Sequence, residues 1–116
     1  EGNSTTTNLQ QGLLKCWIHF PANLASTSDS FNVTSLTDSG TGDGVVNITN
    51  DMSAVNYAIT NCVQDGGSSS SLRYIDVTEG TQAAGSYGFE SIYVNASDNR
   101  TNSDCIGYSM VAGDLA

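Results

Sequence analysis

The apolar residues of this chain fall in short clusters, and that spacing limits what the chain can fold into. Residues 13–20, 45–48 and 91–94 are apolar-rich, and Gly, Ser, Thr, Asn and Asp fill the stretches between them. Strands divided by turns produce this pattern; long helices and disordered segments do not. No segment repeats its apolar residues at the 3.6-residue helical period.

Residues 13–20 give the strongest strand. Leu14, Cys16, Ile18 and Phe20 hold the even positions, while Lys15 and His19 flank Trp17 on the odd ones. Alternation of period two turns one set towards a core and the other towards solvent or a neighbour. Pro21 ends the run, because proline cannot donate to a sheet ladder. A hairpin follows, with strands over 30–36 and 45–49 around a turn at 38–44. Gly40, Gly42 and Gly44 are placed there to supply positive φ angles. Phe31 and Val33 share a parity that Leu36 breaks, which predicts a bulge near Thr34 or Ser35. The next strand, 55–63, puts Val55, Tyr57, Ile59 and Val63 on one face. Residues 65–71 read as a loop, 72–77 and 89–94 as strands, and 95–104 as a long polar loop. A last strand over 105–111 has Ile106, Tyr108 and Met110 sharing a face. The expectation is an all-β fold, an antiparallel β-sandwich or flattened barrel of about six to eight strands. Residues 1–12 are expected to form an extended N-terminal arm and 13–116 a single domain.

A chain of 116 residues is the size of one domain with one core. Its 12 acidic residues oppose only Lys15, Arg73 and Arg100, for a net charge of −9. Nucleic-acid binders draw their affinity from cationic contacts to phosphate, and anionic lipid attracts basic segments, so neither partner suits this balance. No stretch approaches the ~20 apolar residues of a membrane-spanning helix. The first residues are polar, without an initiator Met or the pattern of a signal or transit peptide, and read as a fragment start or the sequel to a missing segment.

Candidate chemistry is sparse. Cys16, Cys62 and Cys105 are too far apart for a CxxC motif, and their odd number argues against a disulfide framework; buried free thiols are the expected state, with one pair plus a spare as the alternative. The single histidine, His19, has no nucleophile in its local sequence. One His and three scattered Cys do not make a zinc site. Asp38, Asp43, Asp65, Asp98 and Asp104 lie in turns and loops, where Asp bonds its own backbone. The 38–44 segment fails as a calcium loop, since Gly40 and Gly42 stand where oxygen ligands are required, and it fails as a phosphate loop for want of a lysine. Neither catalytic residues, nor a metal site, nor a cofactor is expected. Asn-x-Ser/Thr triplets begin at Asn3, Asn32, Asn47, Asn95 and Asn99, but a chain this rich in Asn, Ser and Thr carries such triplets by chance. Trp17 and the tyrosines, among small polar neighbours, suit sugar stacking or an oligomer interface. Tyr74, Tyr87 and Tyr93 flank the predicted loops, where capping the core rim is an equally good role.

The order of segments carries a resemblance. Lys15-Cys16-Trp17-Ile18-His19-Phe20, then Ser30-Phe31-Asn32-Val33-Thr34-Ser35-Leu36-Thr37-Asp38-Ser39-Gly40-Thr41-Gly42-Asp43, then Val46-Asn47-Ile48-Thr49-Asn50, Met52 and Asn56-Tyr57-Ala58 is similar to short virion proteins of tailed bacteriophages, notably marine phages and cyanophages. These are tail fibre or fibre-like proteins. The match covers residues 13–63 and, more weakly, 103–114; it departs between Pro21 and Asp29, and 64–102 are unmatched. The resemblance implies a non-enzymatic virion protein on the tail or capsid surface, assembled in the host bacterial cytoplasm as a homotrimer. Its implied partners are its own copies, other virion proteins and a host-surface glycan. The alternative is a capsid decoration, or head-fibre, protein that binds the viral shell through residues 1–12. Host contact is expected at the loops, through Asp65, Ser68, Ser70, Tyr74, Tyr87, Asn99 and Arg100.

Overall fold

The computed structural model describes residues 13–64 and 72–116. The expected arm at 1–12 and the loop at 65–71 lie outside the described residues. The fold is all-β: β1 (Leu14–Phe20), β2 (Asp29–Phe31), β3 (Val33–Gly40), β4 (Asp43–Ile48), β5 (Ala58–Val63), β6 (Leu72–Val77), β7 (Ser86–Val94), β8 (Arg100–Asn102) and β9 (Gly107–Ala112). These strands form two antiparallel sheets, ordered β2-β1-β9-β5 and β3-β4-β7-β6, with β8 also paired to β7. They pack face to face as a sandwich.

The core is made by the inward parity of each strand. Cys16, Ile18, Phe20 and Val111 come from the first sheet, and Val46, Ile48, Ile75, Tyr87 and Phe89 from the second. Phe20 and Phe89 stack across the sandwich with ring centroids 4.7 Å apart. Gly107 makes room for them: a Cβ there would lie 2.6 Å from the Phe20 ring and 2.5 Å from Ile75 Cδ1. Beyond Pro21 the chain turns at Leu24, whose φ of 51° lets a fully buried side chain plug the end of the core.

Several expectations need correction. Phe31 and Val33 do not share a strand: β2 pairs with β1 in the first sheet, and β3 belongs to the second. The crossing falls at Asn32, in the left-handed region with φ 58°. Its side chain secures the crossing, donating to the Lys15 carbonyl at 2.9 Å and accepting from the Asn50 backbone N–H at 2.8 Å. The predicted bulge is present, since Val33 pairs with Ile48 and Ser35 with Asn47, leaving Thr34 as the extra residue. The hairpin reverses more tightly than the 38–44 stretch suggested. Gly40 already pairs with Asp43, leaving Thr41 and Gly42 at the tip. Gly40 (φ 142°) and Gly42 (φ 73°) supply the positive angles, whereas Gly44 is needed because a Cβ would meet the Phe89 ring at 2.6 Å.

A register shift between Leu14 and Cys16 turns Leu14 outward, 46 % exposed, so the even face of β1 begins only at Cys16. Val55 precedes β5 and is half exposed, although Tyr57, Ile59 and Val63 do share the inward parity. Within the supposed 95–104 loop, β8 forms three pairs with β7. It takes over from β4 at Ser91, whose N–H donates to the Gly42 carbonyl and whose carbonyl accepts from Ser103.

Candidate functional site

Two surfaces emerge, one on each sheet. On the second sheet, β7 separates β6 from β8, and Ile92 is paired with both Tyr74 and Asn102. Tyr74 and Arg100 lie on the outer face, and the Arg100 guanidinium sits over the Tyr74 ring at 5.5 Å. Asn99 is beside them, exposed in the turn that joins β7 to β8. That turn is held by Asn95, whose side-chain oxygen accepts from the backbone N–H groups of Ser97 (2.8 Å) and Asn99 (3.1 Å). Leu72, 63 % exposed, opens β6 at the same end. Arg73 points to the other side of the sheet, over the Tyr93 ring at 5.1 Å, and donates to Ser103 Oγ at 3.1 Å. Two of the three cationic residues thus gather at one end of an acidic molecule, each against a tyrosine face. A guanidinium held this way offers planar donors with little freedom left to lose.

Of the residues expected at the host-contacting loops, the structure therefore unites Tyr74, Asn99 and Arg100. Asp65, Ser68 and Ser70 lie outside the described residues. Tyr87 is a correction: it is fully buried, and its hydroxyl donates to Ser109 Oγ at 2.7 Å in the middle of the sandwich. Burial holds its phenol well above the usual tyrosine range, an effect the Ser109 hydrogen bond partly offsets. Its position in β7 gives it the parity of Phe89, which no loop-flanking argument detects.

The outer face of the first sheet was not foreseen as a surface. Cross-strand register assembles it in rows. Phe31, Trp17, Met110 and Thr60 form one row; Asp29, His19, Tyr108 and Cys62 form the next; Leu14, Ala112 and Ala58 form a third. Phe31 is 54 % exposed, Tyr108 42 % and Met110 41 %. The signal was in the sequence, in Trp17 on the odd parity of β1 and in Tyr108 and Met110 sharing a face. Those two observations join only once β1 and β9 are known to be neighbours. His19 stacks on Tyr108, and Cys62 lies beyond that ring, two strands from His19 at about 10 Å by strand spacing. The imidazole and the thiol are thus out of hydrogen-bonding reach of one another.

The outer face of the second sheet carries an acidic row by contrast, away from its Leu72–Tyr74 end. Asp43, Glu90 and Asp76 face one another across β4, β7 and β6, and Asn102 Nδ2 lies 3.3 Å from both carboxylate oxygens of Asp43. No group of three or more His, Cys, Asp or Glu among the described residues is arranged to hold a metal ion. A hollow of about 350 Å³ lined by Ser53, Ala54, Asn56, Ala112, Gly113 and Asp114 lies where β9 ends. Cys16 and Cys105 are free and buried as expected, while Cys62 is free and exposed. Burial pushes the Cys16 thiol up to about 11 and raises that of Cys105, so both stay protonated and poorly nucleophilic at neutral pH. The amides of Asn32 and Asn47 are occupied internally, the latter donating to Ser35 Oγ at 3.0 Å and Thr37 Oγ1 at 3.1 Å. Those two glycosylation triplets are thereby built into the sheet packing. No family model matches the chain, and no curated protein or solved structure is significantly similar to it.

Proposed function

We propose that this chain is a non-enzymatic attachment domain of the virion-fibre kind, which meets a host-surface glycan at the end of the sandwich bearing Tyr74, Asn99 and Arg100. One observation carries the reading: Tyr74 and Arg100, on separate strands, meet at 5.5 Å on an outer face beside the 95–99 turn. An aromatic ring, a planar cation and small polar neighbours make a shallow site suited to sugar hydroxyls or the carboxylate of an acidic sugar. Such a site is weak alone and gains strength by repetition on a particle, because avidity multiplies modest affinities. The fibre-like motifs of residues 13–63 support the virion setting.

A competition assay tests this reading. The purified chain, displayed multivalently on beads, is expected to adsorb to host cells and to be displaced by their surface polysaccharide. Tyr74→Ala and Arg100→Ala should each reduce adsorption at least about tenfold in multivalent form, with unchanged far-ultraviolet circular dichroism. Absence of binding to cells and to a broad glycan array would defeat the proposal. The second reading, a capsid decoration protein, is favoured by the apolar outer face of the first sheet, which is a better fit to protein than to sugar. Density for this chain on the capsid shell, in electron cryomicroscopy of the particle, would select it.

A further inference from the structure

We infer that the outer face of the β2-β1-β9-β5 sheet is covered by the same face of another copy of this chain. The four strands carry only two charged residues, Lys15 and Asp29, although the whole chain has a net charge of −9. Asp29 stands on the short edge strand and Lys15 is buried, so the centre of the face is neutral. Two copies approaching through the other sheet would set the Asp43–Glu90–Asp76 row of one against that of the other. The first sheet is where like-charged copies meet with least repulsion.

Size and chemistry point the same way. Phe31, Leu14, Tyr108 and Met110 are 54 %, 46 %, 42 % and 41 % exposed. With about 200 Å² for each fully exposed large side chain, these four alone leave on the order of 400 Å² of contiguous apolar surface. Trp17 and the Ala112–Ala58 row extend it. Two such faces together bury close to the ~1,000 Å² at which a specific interface becomes tenable. The central row is mainly aromatic and thioether, with the Trp17 indole N–H and the Thr60 hydroxyl as its polar groups, so a glycan would leave many of its hydroxyls unmatched there. A twisted antiparallel sheet, in contrast, fits another of its kind, with facing sheets ~10 Å apart and inclined by about 30°. The two sheets of one copy already pack face to face around a shared core. The inference does not rest on the attachment reading, since copies can associate whether or not they bind a host.

The two methionines provide the test. Met52 is 1 % exposed in the core, while Met110 is 41 % exposed in an isolated chain. Sedimentation of the 116-residue chain should give a mass at least twice 12.1 kDa at micromolar concentration. Under those conditions dilute peroxide should oxidise Met110 almost as slowly as Met52, and on dilution to the monomer its rate should rise at least about tenfold. Met110→Asp and, separately, Phe31→Asp should weaken association at least about 100-fold by burying a carboxylate. Ser97→Asp, in an exposed turn, adds the same charge without effect. Thermal unfolding of each variant establishes that it remains folded, and either face variant suffices. A monomeric wild-type chain overturns the inference. So does an assembly whose Met110 oxidises at the free rate, or one that both face substitutions leave intact.

Discussion

Tyr87 of β7 donates its phenolic proton to Ser109 Oγ of β9 at 2.7 Å, a hydrogen bond that joins the two sheets through the interior of the sandwich. Both residues are essentially inaccessible to water. A buried polar pair of this kind contributes little net free energy when satisfied, and its disruption is costly because the surviving partner stays desolvated.

Tyr87→Phe should therefore destabilise the fold by about 1–3 kcal/mol. Adding Ser109→Ala to it should restore a good part of that loss, since no hydroxyl then remains unpaired. Urea unfolding of the two single variants and the double variant measures the coupling. Strict additivity would show that the two groups do not communicate.

Alkali should loosen the protein in a defined window. Burial pushes Cys16 up to about 11 from 9.0, and it lifts Tyr57, with a smaller contribution from Cys16, to about 12 from 10.0. Both groups are held in their protonated forms in the native state and ionise sooner in the unfolded one. Their contribution to stability is thus full below about pH 9, declines as the unfolded thiol and phenol lose their protons, and is gone once the native groups ionise near pH 11–12. Melting temperatures across pH 8–12 check this, and Cys16→Ala should flatten the first part of the decline.

Gly42 and Gly80 have nearly the same φ, 73° and 75°, but different surroundings. A Cβ at Gly42 would fall 2.6 Å from the backbone of both Ser91 and Ser103, while at Gly80 it would meet nothing within 4 Å. Gly80→Ala should cost about 1 kcal/mol, the conformational penalty alone. Gly42→Ala should cost about 3 kcal/mol or more, because backbone must move and the contact that hands β4 over to β8 must open. Equal losses in denaturant unfolding would place the effect in φ and not in the contact.

Thiol chemistry separates the cysteines. Cys16 and Cys105 should resist aromatic disulfide reagents at pH 8 until the protein unfolds, whereas Cys62 on the outer face of the first sheet should react in the isolated chain. Counting released thiolate before and after adding guanidinium distinguishes the two classes.

Much of this architecture was legible from alternation alone. Leu72–Val77 is the strand that the apolar pattern marks out, and the missed parity between Val33 and Leu36 locates the Thr34 bulge. Local signals fail where pairing is remote. Nothing in Phe31-Asn32-Val33 announces that the chain changes sheets, because the reason is a side-chain amide satisfied by Lys15 and Asn50. β8 has three polar residues and exists as a strand only because β4 begins at Asp43, opposite Glu90, and leaves the edge of β7 beyond Glu90 open. The loop-flanking tyrosines looked alike in sequence, yet strand parity sends Tyr87 inward and Tyr74 outward. The Tyr74–Arg100 contact depends on β6 and β8 lying either side of β7, a fact no short window contains.

The position of β9 has a consequence for how the chain is made. Of the four strands of its sheet, β9 comes last in chain order yet lies in the interior, bonded to β1 on one side and β5 on the other. Until it arrives, the first sheet is two unconnected pieces, and Phe20 and Ile18 have no floor beside them. A ribosome-bound nascent chain lacking residues 107–112 therefore cannot close its core. Closure of this sheet must wait until residues 107–112 have left the exit tunnel, and their loss removes the middle of a sheet, not a dispensable border.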